Sequence, residues 1–321
     1  MTAVAPEQTA AVPAAVEAEG IEGRSPRELF WMRFKQDKAA LVGLAIIVIL
    51  VLLALCAGFI SKYVVHHGPA DVYRQMTDAY GLPKGPNSHF WFGADRSGRD
   101  IFVRVLYGAR TSLEVALIAT GIAVGIGIVL GLAAGYFAGK VDTAISRVID
   151  ILLAMPYLLF AIGIAAACGI RPCIGGLVQP GKELVVFVIA IFTWPYIARI
   201  VRGNTLSIRE KEFIEAARSL GAGNVRIMFR EVLPNLVAPI IVYTTLIIPN
   251  NVLFEAALSY LGLGVQDPTA SWGAMLSDAS EIFNVAWWLM VFPGIFLILT
   301  TLAFNLLGDG LRDALDPRAA R

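Results

Sequence analysis

The chain has 321 residues, of which 57% are hydrophobic, with a mean hydropathy of +0.69 and a formal net charge of +1. That much apolar surface excludes a soluble domain of ordinary composition, and the near-zero charge excludes nucleic acid, which demands concentrated positive charge. Three cysteines are too few for a disulfide scaffold or a cysteine-rich zinc site.

Residues 1–23 are rich in Ala, Val, Pro and Glu without periodicity and read as a disordered stretch of an N-terminal tail over 1–38. Arg33, Lys35 and Lys38 then precede an apolar run of more than 20 residues. A signal peptide has an apolar core of about 7–15 residues, so a retained helix is expected. Leu53 to Cys56 has the outline of a lipoprotein cleavage box, but Leu55 directly before Cys56 and the length of the run exclude lipidation.

Six stretches are apolar enough to span a bilayer: 39–61, 113–137, 151–169, 184–201, 236–262 and 285–307. About 20 helical residues cross a hydrocarbon core of about 30 Å. The third stretch is interrupted by Pro156 and Gly163. In lipid every backbone group needs an internal partner, so all six are expected to be helices. They leave an outer loop at 62–112, a polar loop at 203–235 and a C-terminal tail at 308–321. The loop 263–284 has three acids and no basic residue, whereas 199–230 holds seven Arg and Lys. The positive-inside rule therefore puts both termini and 203–235 in the cytoplasm.

Apparent catalytic signals fail on context. Gly176 to Lys182 has phosphate-loop spacing, but Glu183 stands where a Ser or Thr must bind magnesium, and no strand precedes it. His66, His67 and His89 lack the cysteine or helical carboxylate partners of a metal site, so no metal is expected. No nucleophile stands with a base and an orienting acid, and the chain is not expected to be an enzyme.

Other features read two ways. Gly127, Gly131, Gly135 and Gly139 recur every four residues, with Gly121 and Gly125 on a nearby face, laying a groove for another backbone. The partner is a helix of this chain or of a sister subunit. Trp194, Tyr196, Trp287 and Trp288 fit interfacial belts. Asn250, Asn251 and Glu255 lie close together in the fifth span. They form a polar stripe along a translocation pathway, or Glu255 braces the turn that follows it. Cys168 and Cys173 flank a short outer turn and form either a disulfide or two free thiols.

The most informative stretch is 213–234, FIEAARSLGAGNVRIMFREVLP, polar and charge-laced between apolar runs. Phe213, Ala216, Ala217 and Leu220 recur at helical spacing around Glu215 and Arg218. Gly221 stands where a helix C-cap wants a left-handed residue. Asn224 is expected to cap a second run, Val225 to Leu233, ended by Pro234. An amphipathic helix docked on a partner protein explains this order better than a solvated loop.

Glu215-Ala216-Ala217, Gly221 and Leu233-Pro234 resemble the "EAA" loop of binding-protein-dependent ABC importer permeases. FGADRSGRDIFVRVLYGARTSL (92–113), ALSYLGLGVQDPTASWGAML (257–276) and NLLGDGLRDALDP (305–317) narrow the resemblance to the C-type subunit of the dipeptide/oligopeptide branch, over about residues 25–318. Ala94, Val103 and Glu231 depart from the family's usual Thr, Ser and apolar residue. The resemblance implies an all-α polytopic protein with a MetI-like type I permease core in the bacterial inner membrane. It also implies a homologous B-type permease, two ABC ATPase subunits and an extracytoplasmic binding protein, with ATP and Mg used by the ATPases and no cofactor on this chain. The residues at 213–218, 221, 233 and 234 then form the ATPase-coupling loop. Di- or oligopeptides are the implied cargo, nickel or another small solute the alternative. A passive pore is the alternative from another class, but no filter-like segment is present.

Overall fold

Ser25, Pro26 and Glu28 start a helix inside the stretch that sequence alone reads as tail. In this computed structural model, which describes residues 25–169 and 171–315, α1 spans Pro26–Gln36. Ser25 Oγ accepts from the Glu28 amide and the Glu28 carboxylate accepts from the Ser25 amide, a complete capping box. The expected disorder at 1–23 and the end of the C-terminal tail at 316–321 lie outside the described residues.

Asp37 ends α1 and begins α2 (Lys38–Phe59), its Oδ1 accepting from the amides of Ala39 and Ala40. The helix widens into a π-turn to Val65 and stops at His66, whose φ is +61°. The outer loop is thus shorter than its expected 62–112, because Asp100 caps α3 (Ile101–Phe137) through the amides of Phe102 and Val103. At 1.5 Å per residue α3 is about 55 Å long, far more than a bilayer core.

The third stretch is not one straight span. α4 (Gly139–Ala154) and α5 (Tyr157–Cys168) meet at 86°. Pro156 has no amide to donate and forces Met155 to extended geometry, ψ 137°, while Gly163 sits quietly inside α5. The remaining elements are α6 (Lys182–Ile208), α7 (Glu212–Ser219), the single turn α8 (Asn224–Arg226), α9 (Leu233–Tyr260), α10 (Trp272–Ser280) and α11 (Trp288–Leu315). Among the described residues five helices are long and apolar enough to cross a membrane, six if α4–α5 counts as one bent span. The chain therefore has two polar faces. One carries residues 66–100, the turn after α5, and α10; the other carries α1, α7 and the end of α11.

The glycine groove on α3 is filled from within the chain. A Cβ on Gly127 would lie 2.7 Å from Ile197 Cβ, one on Gly131 2.7 Å from the Ala198 carbonyl oxygen, and one on Gly135 2.6 Å from Thr205 Cβ, all on α6. Gly121, Gly125 and Gly139 have no such neighbours. Leu132, Ile197 and Val201 pack beside the contact with Leu236 and Ile240 of α9.

Two of the expected interfacial tryptophans are core residues instead. Trp194 is buried with Ala123, Ile149 and Ala198, and Trp288 donates its indole N–H to the Ala94 carbonyl at 3.1 Å. A buried indole needs one acceptor, which the loop backbone supplies to Trp288. Trp287 and Tyr196 remain half-exposed. Cys168 and Cys173 are joined by a disulfide, their Cα atoms 5.4 Å apart, and Cys56 is free.

Gly131→Val is expected to lower the melting temperature of the solubilised protein, because overpacking a close contact costs about 1–3 kcal/mol. Gly125→Val meets open space and should leave it unchanged; equal melting of the two variants would show that the α3–α6 contact tolerates side chains. Thiol titration of the denatured chain should count one reactive cysteine of three before reduction and three after it.

Candidate functional site

The stretch 209–234 forms a small, well-anchored platform on the α7 face. Lys211 precedes α7, and Ile214 is its inward anchor, fully buried among Tyr136, Ile208, Ile227, Met228 and Val232. The sequence pattern pointed to Phe213, Ala216, Ala217 and Leu220 as the apolar stripe. Phe213, Ala216 and Leu220 face out, Phe213 at 44% and Leu220 at 89% exposure, while Ala217 is half-buried. Glu215 and Arg218 are also exposed. Val225 and Phe229 extend the open apolar surface beyond the turn.

Gly221 has φ +82° and closes α7: its amide donates to Arg218 O and that of Ala222 to Ala217 O, each at 3.0 Å. This pair of bonds is the Schellman arrangement, which satisfies carbonyls that a helix end leaves free. Asn224 does not cap the next run. Gly223 is the N-cap, and the Asn224 side chain instead accepts from Tyr136 Oη at 3.0 Å. Pro234 does not end that run either. A π-turn over Ile227–Val232 feeds straight into α9, and its wider hydrogen-bond register leaves room for the proline that follows, beside Leu233.

Three contacts tie this platform to α3. Besides Tyr136–Asn224, the Arg218 guanidinium lies 6.0 Å above the Tyr136 ring. Arg209 Nη1 donates to the Gly135 carbonyl at 3.2 Å, one of the carbonyls orphaned at the end of α3. Nothing in the local pattern of 213–234 points to Tyr136 or Arg209, since both contacts are long-range. Further along, Arg202 of α6 forks onto Asp142 of α4, with Nη2 to Oδ2 at 2.8 Å.

Within the spans the three polar residues of α9 part company. Asn250 lines a cavity of about 280 Å³ with Tyr157, Thr193, Tyr196 and Phe254. Asn251 borders the same cavity but is buried; it donates to Thr120 Oγ1 at 2.8 Å and accepts from Thr193 Oγ1 at 3.1 Å, knotting α3, α6 and α9 together. Glu255 has no exposed surface. Ser259 Oγ donates to its Oε1 at 2.7 Å and accepts from the Val265 amide at 3.1 Å, so the carboxyl supports the turn after α9. The hydroxyls of Ser112 and Ser271 face the same carboxyl, whereas Oε2 and Ser112 Oγ make no hydrogen bond. A larger cleft of about 1060 Å³ opens between α3 and α6, lined by Ile118, Ile122, Phe187 and Ala190 and bounded by Leu177, Val178, Val265 and Thr269.

The opposite face is held by a charge network. Arg99 Nε donates to Asp95 Oδ2 at 2.6 Å and Arg99 Nη1 to Asp267 Oδ2 at 2.8 Å; Arg104 Nη2 donates to Asp267 Oδ1 at 3.1 Å and Nη1 to the Pro69 carbonyl at 3.1 Å. Burial alone would raise the Asp267 carboxyl, but the two arginines outweigh it and hold it below its ordinary range. The stabilisation this gives is present above the ordinary aspartate pKa and is lost as pH falls through the lowered value. Burial pushes the Asp100 carboxyl up, against the pull of His67, whose Nδ1 lies 2.8 Å from Oδ2. His67 also stacks on Phe90, while His66 Nδ1 contacts the Lys62 carbonyl. Among the described residues no group of three or more His, Cys, Asp or Glu could hold a metal ion.

Residues 127–321 match the family described as "Binding-protein-dependent transport system inner membrane component", and residues 25–78 match the "N-terminal TM domain of oligopeptide transport permease C". The chain is 44% identical over 295 residues to the glutathione transport system permease protein GsiD of Shigella flexneri, covering 92% of this chain and 91% of that protein. It is 43% identical to GsiD of Escherichia coli O6:K15:H31 over the same shares. Among solved structures, an inward-facing form of the MetNI methionine ABC transporter superposes with TM-score 0.54 at 18% identity, covering 66% of this chain and 96% of that one. A second crystal form gives TM-score 0.53 at 19% identity, over 67% and 98%. At that identity the likeness speaks for the fold, which is MetI-like.

Glu255→Gln is expected to accumulate in the membrane and transport normally, because the amide still accepts from Ser259 and can donate to Ser112. Glu255→Ala removes the acceptor of the buried Ser259 hydroxyl, at about 1–3 kcal/mol, and should lower membrane abundance. Lost transport by the Gln variant at normal abundance would instead make the charge itself the working part.

Proposed function

Because the chain belongs to the family of inner-membrane components of binding-protein-dependent transport systems, as an OppC-type permease, we propose that it carries short peptides inward as half of a heterodimeric importer. It is the non-catalytic, multi-pass permease of an ABC importer, a class that works with ATPase subunits and a binding protein. The other half of the membrane path is a homologous B-type permease. Both termini and the α7 face lie in the cytoplasm, in keeping with the basic residues between Arg199 and Arg230. Residues 66–100 and α10 then face the binding protein. ATP and Mg are bound by the partner ATPases, and this chain holds no cofactor.

The observation that carries the coupling role is the two-sidedness of α7. Its inner side is fixed by Ile214, while Phe213, Ala216 and Leu220 stand uncovered on the other. Exposed apolar surface on an otherwise polar face marks a protein contact. A push on that surface by closing ATPases reaches two spans at once, because Arg209 holds the end of α3 and the Asn224 segment runs directly into α9. The tilt of those spans converts the pathway from inward- to outward-facing. Support for a peptide cargo comes from the 44% identity to a glutathione permease, glutathione being itself a short peptide.

The test is reconstitution of the complete importer in proteoliposomes, comparing uptake of dipeptides, oligopeptides, glutathione and chelated nickel. Uptake of nickel alone would replace the peptide reading. A side chain at the Gly221 φ of +82° costs about 1 kcal/mol or more. Gly221→Asp, and less severely Glu215→Lys, should abolish transport while ATP hydrolysis loses its dependence on substrate and membrane insertion survives. Unchanged uptake by both variants would show that α7 is not the point of transmission.

A further inference from the structure

The cleft between α3 and α6 is apolar along its body and charged at its mouth. Ile118, Ile122 and Phe187 line the body; Glu114, Lys182 and Glu183 stand at the mouth. Lys182 Nζ donates to Glu114 Oε2 at 3.1 Å, with both side chains over two-fifths exposed, at 43% and 44%. An exposed pair of this kind stabilises a fold by only about 0–1 kcal/mol, so exchanging it for the charges of a ligand costs little. Lys182 is the first residue of α6, and Glu114 lies within α3.

The wall beside this mouth is cross-linked. The Cys168–Cys173 disulfide anchors the connecting segment to α5. Cys173 and Val178 exchange backbone hydrogen bonds at 3.0 and 3.3 Å, and the Val178 side chain is buried in the core that holds Cys168. The Glu183 carboxylate is occupied by the Gln179 amide at 3.2 Å, which leaves the Glu114–Lys182 pair as the exchangeable one.

We propose that this cleft holds the migrating peptide by its two ends, Glu114 receiving the free α-ammonium and Lys182 the free α-carboxylate, with side chains in the apolar body. The assignment rests on the peptide reading of the importer. Opposite charges side by side complement a zwitterion, whereas a cationic metal complex that took Glu114 would leave Lys182 without a counter-charge and a neutral solute gains nothing from either. The volume of about 1060 Å³ lies just above the roughly 300–1,000 Å³ of small-molecule sites and leaves room for a short peptide.

The experiment is calorimetric titration of the assembled importer in nanodiscs, without binding protein, using alanyl-alanine, its N-acetylated form and its C-amidated form. Glu114→Gln should weaken alanyl-alanine about tenfold and leave the N-acetylated form unchanged; Lys182→Gln should weaken it about tenfold and leave the C-amidated form unchanged. The unchanged blocked form in each variant reports that the cleft is folded. Equal loss for all three ligands, or none for any, makes the pair a helix clamp and overturns the proposal. Failure of the parent importer to bind any of the three also overturns it. Peptide uptake by the same importer, with its binding protein added, then decides separately whether the peptide reading stands.

Discussion

Gly127, Gly131 and Gly135 bring the backbone of α3 against α6 more closely than any side chain would allow, and both candidate sites take their positions from that contact. Lipid offers no hydrophobic drive for helices to associate, so close packing of small residues has to supply it. At one end of the contact the carbonyl of Gly135 comes within reach of Arg209, and Tyr136 within reach of Asn224. Toward the other end Val115 and Ala119 still pack against Leu184, Val188 and Ile189, and the cleft rimmed by Glu114 and Lys182 lies on one side of the pair. A single rigid pair thus connects the platform on one face to the opening on the other.

Polar groups are handled differently inside and outside the spans. Between α3, α6 and α9 the knot is neutral, with Asn251 satisfied by Thr120 and Thr193, so no ion has to be desolvated. On the face carrying residues 66–100 the groups are charged and networked, with Asp95 and Asp267 shared by Arg99 and Arg104. Asp267 belongs to the turn after α9 and the arginines to the entry of α3, so the network clamps two distant segments of sequence. Glu255 stands at the border between these regimes. It is a buried carboxyl surrounded by hydroxyls rather than by counter-charges, an arrangement that suits a brace better than a pathway lining.

Much of this was legible in the sequence. The spans are visible because hydropathy is a property of composition, and Gly221 is visible because only one residue type is at ease at a positive φ. What escaped was relational. Ile214 rather than Phe213 anchors α7, since the helix is too short for periodicity to say which of two adjacent apolar residues turns inward. Trp194 and Trp288 look like interfacial anchors until a packing partner or a carbonyl acceptor is found for them. The cap of α1 was present in Ser25-Pro26-Arg27-Glu28, a pattern with a direct mechanism, but the apolar residues that follow it, Leu29 to Met32 and Phe34, run round the helix rather than along one face. The bend at Pro156 was marked by its residue type; that the chain turns through 86° there was not.

Helices α2 and α11 lie side by side. A Cβ on Gly43 of α2 would fall 2.7 Å from the Ala303 carbonyl of α11, and one on Gly310 would collide with Ala40. Phe34 of α1 and Ala314 at the end of α11 are buried in one cluster. Chains are made from the N-terminus and their early segments order first. Here α2 has a close mate in α11, more than 200 residues further along the chain. It must wait in lipid while some 200 residues are added, and the bare Val42, Ile49, Leu52 and Leu55 along its surface are suited to that interval. The α2–α11 contact can therefore form only once α11 has been made, and a nascent chain cut short before α11 would leave α2 with α3 alone of these two neighbours.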